Sequence, residues 1–420
     1  MRLELGLAHS NISQSTFFGA LRPLIAIRPR SLNSVAAMRD SPLPTPPLRA
    51  PNDRNERRFK EITSPCEWVE DYHPGGYHPV HLGNVFNNQY KVLRKLGEGS
   101  YSTVWLARDL KYVLPTLSSR YVCLFPSRQN IYVALKILVS EVSEPTRELQ
   151  ILRYIAESAE GTRHITKLLD EFKHHGPNGI HICLVFEPMG PSANSMVEAL
   201  PQFNPPNIRM KIRYPPRMAK SILRQSLEAL AFLHENGVAH GDFQPGNILF
   251  ALDDINSKPE DVFQQEENTA SPPVQRLDGK DDPWAPRYLY IAQPLVLFTP
   301  YIKGFKVKLS DMGGGKYLSI SVNIAVLYLN PVTAYFFADP PAKPITPRGL
   351  RAPELVLAGT VNKTLDIWSF GCLLFELVTG RPLFCVPGSR FEDDDHLLAL
   401  SIQLGPLPDA LFRQWKGSSL

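Results

Sequence analysis

Apolar and polar positions alternate through QYKVLRKLGEGSYSTVWLARDL, from Gln89 to Leu110, with a glycine-containing turn midway. That pattern predicts two strands joined as a hairpin. A second alternating run, IYVALKIL from Ile131 to Leu138, predicts the next strand. The period then changes. SEPTRELQILRYI places leucine and isoleucine at helical spacing, with acids near its start where the helix dipole favours negative charge. IHICLVFEPMG reads as a buried strand running into a turn, and RMAKSILRQSLEALAFLHENG as a strongly amphipathic helix ended by Gly237. A small strand-rich part followed by a larger helical part makes an α+β chain.

Two segments break this order. Tyr112 to Asn130 separates the hairpin from YVALK, and Gly315 to Thr333 is apolar without clean periodicity. The first 60 or so residues close with RDSPLPTPPLRAPNDRNERR, which has no apolar period and predicts a disordered, basic, proline-rich tail. Before that stretch, Met1 to Arg39 holds Arg2, Arg22, Arg28, Arg30 and Arg39 against a single acid, Glu4. That composition fits a mitochondrial transit peptide as well as a plain basic tail.

Composition narrows the class without naming a function. Over 420 residues, 43% hydrophobic and 20% charged exclude a wholly disordered or fibrous chain. A formal charge of +4 is too mild to demand nucleic acid, and no direct nucleic-acid partner is predicted. Cys66, Cys123, Cys183, Cys372 and Cys385 are far apart and contain no C-x-x-C pair, which argues against a disulfide framework and a zinc site and suits a reducing compartment. Leu318 to Phe337 is broken by Asn323, Asn330 and Pro331 and falls short of the roughly 20 apolar residues of a membrane helix, so no membrane association is predicted.

The candidate chemistry begins at the hairpin turn. Gly97, Glu98, Gly99, Ser100, Tyr101 and Ser102 lie between two strands rather than between a strand and a helix, the wrong context for a dinucleotide fingerprint. Glycines there let backbone N–H groups approach phosphate oxygens, and Val104 supplies an apolar roof for a nucleobase; an ordinary hairpin turn is the plainer alternative. On the next strand, Lys136 follows Ala134. A lysine inside a buried strand needs an anionic partner, and Glu148 in the following helix is the natural one, with Glu144 a second candidate. A snorkelling surface lysine is the alternative.

The central constellation is His240-Gly241-Asp242-Phe243-Gln244-Pro245-Gly246-Asn247, followed by Ile248-Leu249-Phe250. An aspartate five residues before an asparagine lets one loop present a carboxylate to a substrate hydroxyl and an amide oxygen to a divalent cation. Downstream, KVKLSDMGGG offers Asp311 at the end of an apolar strand, where a Mg2+-holding aspartate is expected. Together these specify phosphoryl transfer from ATP with Mg2+.

With Ala352-Pro353-Glu354 and Asp366-Ile367-Trp368-Ser369-Phe370-Gly371 following in order, the chain resembles the eukaryotic protein kinase superfamily from about Trp68 onward. EWVEDYHPGGYHPVHLGNVF, LGEGSYSTVWLARD and FFADPPAKPITPRGLRAPEL are similar to the fungal branch of the SR-protein kinases, which phosphorylate serines in Arg/Ser-rich splicing factors. The resemblance implies a bilobal fold with a small β-rich N-lobe and a larger helical C-lobe. It implies an N-lobe with a family-specific extension at 61–190, and a C-lobe at 191–420 with a spacer loop at 251–285 and its final helices missing. Leu96, Ala134, Phe186, Glu187, Met189 and Leu249 then contribute to the nucleotide site, with Phe186 as gatekeeper and the backbone of Glu187 and Met189 at the adenine. Protein substrates, a monomeric state and residence in cytoplasm and nucleus are the further expectations.

The pattern departs from the family in places. The arginine before the catalytic aspartate is Gly241, so switching by loop phosphorylation is not expected. The lysine two residues after it is Gln244, an exchange that removes charge stabilisation from the transition state. This motivates a second reading, a pseudokinase that binds nucleotide or partner without transfer. A third is a small-molecule kinase of the aminoglycoside or choline phosphotransferase type, which shares H-G-D-x-x-x-x-N but lacks the APE element and the DIWSFG helix start. The acidic run Glu392 to Asp395 fits an arginine-docking surface or a solvated helix start. With its usual arginine absent, Glu354 is expected to be a buried carboxylate without a partner. Gly315 to Thr333 splits what in related sequences is the continuous SDMGGAYFF. Its borders are compatible with the ends of an intron, and Tyr112 to Asn130 looks similar.

Overall fold

The computed structural model describes residues 57–112, 131–143, 147–158, 163–203, 212–266, 269–302, 304–313, 334–341, 346–385 and 392–415. The hairpin is there: β2 (Tyr90–Gly99) and β3 (Ser102–Asp109) are antiparallel neighbours, preceded by the short β1 (Val85–Phe86). With β4 (Ile131–Leu138), β5 (Leu168–Gly176) and β6 (Gly179–Phe186) they form one antiparallel sheet in the order β1-β2-β3-β4-β6-β5. Helix α1 (Arg147–Ala156) follows β4 and buries Leu149, Ile151, Leu152 and Ile155, as its leucine spacing predicts.

The remaining strands are short and serve loops. β7 (Met189–Ser192), β9 (Ile248–Ala251) and β10 (Val307–Leu309) make a three-stranded sheet, and β8 (Val238–Ala239) pairs with β11 (Tyr335–Phe336). They rest on the helical part: α2 (Ala193–Ala199), α3 (Pro216–Glu235), α4 (Pro353–Ala358), α5 (Thr364–Thr379), α6 (Glu392–Leu404) and α7 (Asp409–Phe412). The apolar face of α3, with Ile222, Ala229, Leu230 and Leu233 buried, packs with Phe243, Ile248, Phe250 and Val307. Loops and strands around His240–Asn247 are thus seated on a core helix. Among the described residues no helix is long and apolar enough to cross a membrane.

Two domain boundaries differ from the sequence expectation. Residues 57–60 belong to the fold rather than to the tail: Phe59 is buried, and the Arg58 and Phe59 N–H groups both donate to Glu70 Oε1, at 2.8 and 2.9 Å. Residues 251–285 are not a loop of the helical part. After β9 the chain crosses back to the six-stranded sheet, where Ile255, Phe263 and Leu295 pack with Leu93, Leu106 and Tyr132. Phe263 meets the Tyr132 ring edge-on at 4.7 Å. Glu260 bridges Lys91 and Arg108 at 2.7 and 2.5 Å, and Tyr290 reaches the other face against Trp105. Isolated aromatics in a polar, proline-rich stretch leave no period, so nothing local announces this packing.

Two acids of α6 make contacts within the fold. Asp393 pairs with Arg351 at 3.2 Å, and Asp394 accepts from the Trp415 indole N–H at 2.6 Å. Glu354 is likewise half-exposed rather than buried, and it accepts from the Thr364 hydroxyl at 3.3 Å.

Both suspected inserts lie largely in residues 113–130 and 314–333, outside the described residues. Their flanks are close in space. Asp109 is paired with Ile131 across β3 and β4, and the Ala334 N–H donates to Met312 O at 3.4 Å.

Candidate active site

A cavity of about 400 Å³ opens between the sheet and the helical part. Its roof is the hairpin and β4: Leu96, Gly97, Glu98, Gly99, Ser102, Val104, Ala134 and Lys136. Strand alternation accounts for this, because Val104 sits opposite Lys136 in the β3–β4 register and both point to the same face. A Cβ built on Gly97 or Gly99 would meet nothing within 4 Å, so the turn leaves room for a ligand to approach the backbone. Phe186, Glu187 and Met189 form the back wall, and Asn247, Leu249 and Asp311 the floor.

Lys136 is the electrostatic centre of the cavity. Its ammonium lies 2.7 Å from Glu148 Oε1 and 2.9 Å from Asp311 Oδ1. Burial alone would lower its pKa, but the two carboxylates outweigh that and hold it above the usual lysine range. The buried-strand lysine has the partner expected of it, Glu148, and a second one, Asp311. Glu144 lies outside the described residues.

Asp242 stands beside the cavity on the loop between β8 and β9. Gln244 Nε2 donates to both its oxygens at 2.8 and 2.9 Å, and Asn247 Nδ2 donates to its backbone O at 2.9 Å and to Oδ2 at 3.0 Å. Burial pushes the Asp242 carboxyl up to about 6, against the lowering influence of His240 and of these donors. The Asn247 amide nitrogen is spent on Asp242, which leaves its carboxamide oxygen for a cation. That oxygen and the half-exposed Asp311 carboxylate are hard donors suited to Mg2+, so the residues present fit the metal.

Asp311 itself has φ 63°, a left-handed conformation uncommon for a residue with a Cβ. Gly241 has φ 74°, which glycine adopts without strain, so the missing arginine leaves a relaxed backbone.

Several site residues escaped the sequence reading. Asp366, 1% exposed, accepts from the backbone N–H of His240 and of Gly241, each at 2.8 Å, and sits 2.8 Å from His234 Nε2. It fixes the loop that carries Asp242, and the DIWSFG string marked it only as a motif member. The Thr346 hydroxyl donates to Gly241 O at 2.8 Å, tying the downstream segment to the same loop. Pro294, from the stretch that crosses to the sheet, lines the cavity mouth. Of the predicted turn residues, Ser100 and Tyr101 do not line the cavity; Tyr101 turns away and packs against Phe59, Val69, Tyr72 and Tyr77. Gln244 lies in a neighbouring cavity of about 260 Å³ with Pro347, Leu350 and Glu376.

Comparison with known proteins points the same way as the geometry. The protein kinase domain model matches residues 116–262. A serine/threonine-protein kinase SRPK from Physarum polycephalum is 32% identical over 362 residues, covering 81% of this chain and 73% of its own. Protein kinase dsk1 from Schizosaccharomyces pombe is 29% identical over 405 residues, covering 79% and 69%. Human SRSF protein kinase 3 is 32% identical over 217 residues, covering 50% and 34%.

Proposed function

Because the chain belongs to the SRPK family of serine/threonine-protein kinases, we propose that it transfers the γ-phosphate of ATP to serines in Arg/Ser-rich splicing factors, in the cytoplasm and nucleus. The observation that carries this reading is the convergence on one cleft of Lys136, Glu148 and Asp311 with Asn247 and Asp242. Family membership decides against the small-molecule kinase reading. A module without transfer has no use for Asp242, Asn247 and Asp311 gathered beside the Lys136–Glu148 pair, although neutral Gln244 stands where the family has a lysine.

In this reading Lys136, kept charged by Glu148, positions the α and β phosphates, and the glycine turn covers them. Asp311 and the Asn247 carboxamide oxygen would hold Mg2+, which supplies neutralising charge to the phosphates when bound. Asp242 orients the serine hydroxyl and takes its proton as the new O–P bond forms and the bridging β–γ bond breaks, releasing ADP. Asp366 acts through the loop backbone, since a carboxylate misplaced by 1 Å costs orders of magnitude in rate.

Purified protein, radiolabelled ATP and an Arg/Ser-repeat peptide test the proposal. Serine-linked label from the wild-type chain, lost by at least about a hundredfold in Asp242→Asn, is the expected result. Equal labelling by both proteins overturns the assignment of Asp242, and no labelling of the peptide or of intact splicing factors overturns the substrate class.

A further inference from the structure

The tip of the β2–β3 hairpin is loosely packed, since neither Gly97 nor Gly99 has anything within 4 Å of where a side chain would begin. A turn without side-chain packing samples many arrangements. A ligand that requires one of them loses affinity in proportion to the time that arrangement is absent. Yet contacts reach this tip from segments that lie outside the cavity. The Tyr77 hydroxyl donates to Gly99 O at 2.6 Å. Its ring is 4% exposed, held among Phe59, Val69, Tyr72 and Leu289. Lys95, fully buried on β2, carries its ammonium between Glu67 and Glu98, the latter at 3.1 Å, and Glu67 in turn accepts from Tyr72 at 2.5 Å. On the far side of the turn the Val139 N–H donates to Tyr101 O at 2.9 Å, and the Tyr101 ring joins the same apolar cluster as Tyr77.

From this arrangement we infer that Tyr77 is a positioning residue for the nucleotide: residues 67–77 form a clamp that holds the glycine turn in its phosphate-covering arrangement before the nucleotide arrives. The inference rests on the reading of the cavity as the ATP site. Tyr77 does not line the cavity, so its influence passes through the turn, by its hydrogen bond to the Gly99 carbonyl and by the apolar cluster it shares with Tyr101. The clamp therefore acts on binding and release and leaves the transfer step untouched. A prearranged turn spares the ordering cost of binding, as restraint does for any flexible site.

Tyr77→Phe keeps the ring in its cluster and removes only the O–H, and the exposed Gly99 carbonyl then turns to water. The full-length chain is assayed for KM(ATP) and kcat with an Arg/Ser peptide, for affinity toward a fluorescent ATP analogue, and for thermal midpoint. The expected result is a rise of about three- to tenfold in KM(ATP) and in the analogue's Kd, the worth of one hydrogen bond. Turnover stays unchanged or rises, and the midpoint moves by no more than a few degrees. Glu98→Gln, which weakens the second tether, shifts KM(ATP) in the same direction. An unchanged KM(ATP), or a fall in kcat at constant KM as a purely structural role would give, overturns the clamp while leaving the ATP site standing. Failure of the wild-type chain to bind the analogue overturns the nucleotide site and the clamp with it.

Discussion

Gln244 donates through one nitrogen to both carboxylate oxygens of Asp242, at 2.8 and 2.9 Å. A neutral amide thus stands where the family places a cation, and it steadies the geometry of Asp242 without supplying charge.

The Asp242 carboxyl, raised by burial to about 6, accepts a proton only when ionised. Turnover is therefore expected to fall as pH drops through about 6, with the acid limb visible in kcat/KM. Gln244→Lys places an ammonium where the amide now sits and favours the ionised carboxylate. The limb should move to lower pH, and kcat at pH 7.5 should rise by about tenfold or more from added transition-state charge. A pH–rate profile of both proteins checks this, and coincident limbs would exclude Asp242 as the titrating group.

Asp311 combines a required carboxylate with a left-handed backbone, φ 63°. Asp311→Ala and Asp311→Gly should both lose activity by at least about a hundredfold. They should differ in stability, with the glycine variant firmer by about 1 kcal/mol because it lacks the Cβ that the left-handed conformation strains. Urea unfolding of the two variants measures the difference. An alanine variant as stable as the glycine one would show that the conformation costs nothing.

Phe263 is fully buried against Tyr132, Leu93 and Leu106, far along the chain from all three. Phe263→Ala should destabilise the fold by about 3–5 kcal/mol, the cost of an aromatic-sized cavity. A thermal or urea transition detects it. A loss below about 1 kcal/mol would mean that residues 251–285 are an appendage rather than part of the small lobe.

The flanks of the second suspected insert already touch, Ala334 N–H to Met312 O. Deleting 315–333 rejoins Gly314 to Ala334 and restores SDMGGAYFF without stretching the chain. The shortened protein is expected to be at least as active and more soluble, since a long apolar stretch beside the metal aspartate is removed. Soluble yield and turnover of the two forms decide it, and the message sequenced across this region shows whether the segment is translated.

Local pattern was enough to recover the hairpin, the lysine strand, the helix that carries Glu148 and the loop from Asp242 to Asn247. Each depends on a period or on a motif whose residues lie within a few positions of one another. The pairing of Lys136 with Glu148 was equally legible, because a buried ammonium has few candidate partners nearby. Tertiary structure alone decided what lies far apart in the chain. Lys136 meets Asp311 across 175 positions, Asp366 holds a loop some 125 residues before it, and Phe263 fills a hollow in the sheet. Tyr77 touches a turn 22 residues downstream through a backbone oxygen that carries no residue identity at all. Such contacts leave no periodic trace, because what selects them is the shape and charge that remain unsatisfied once the local elements have packed.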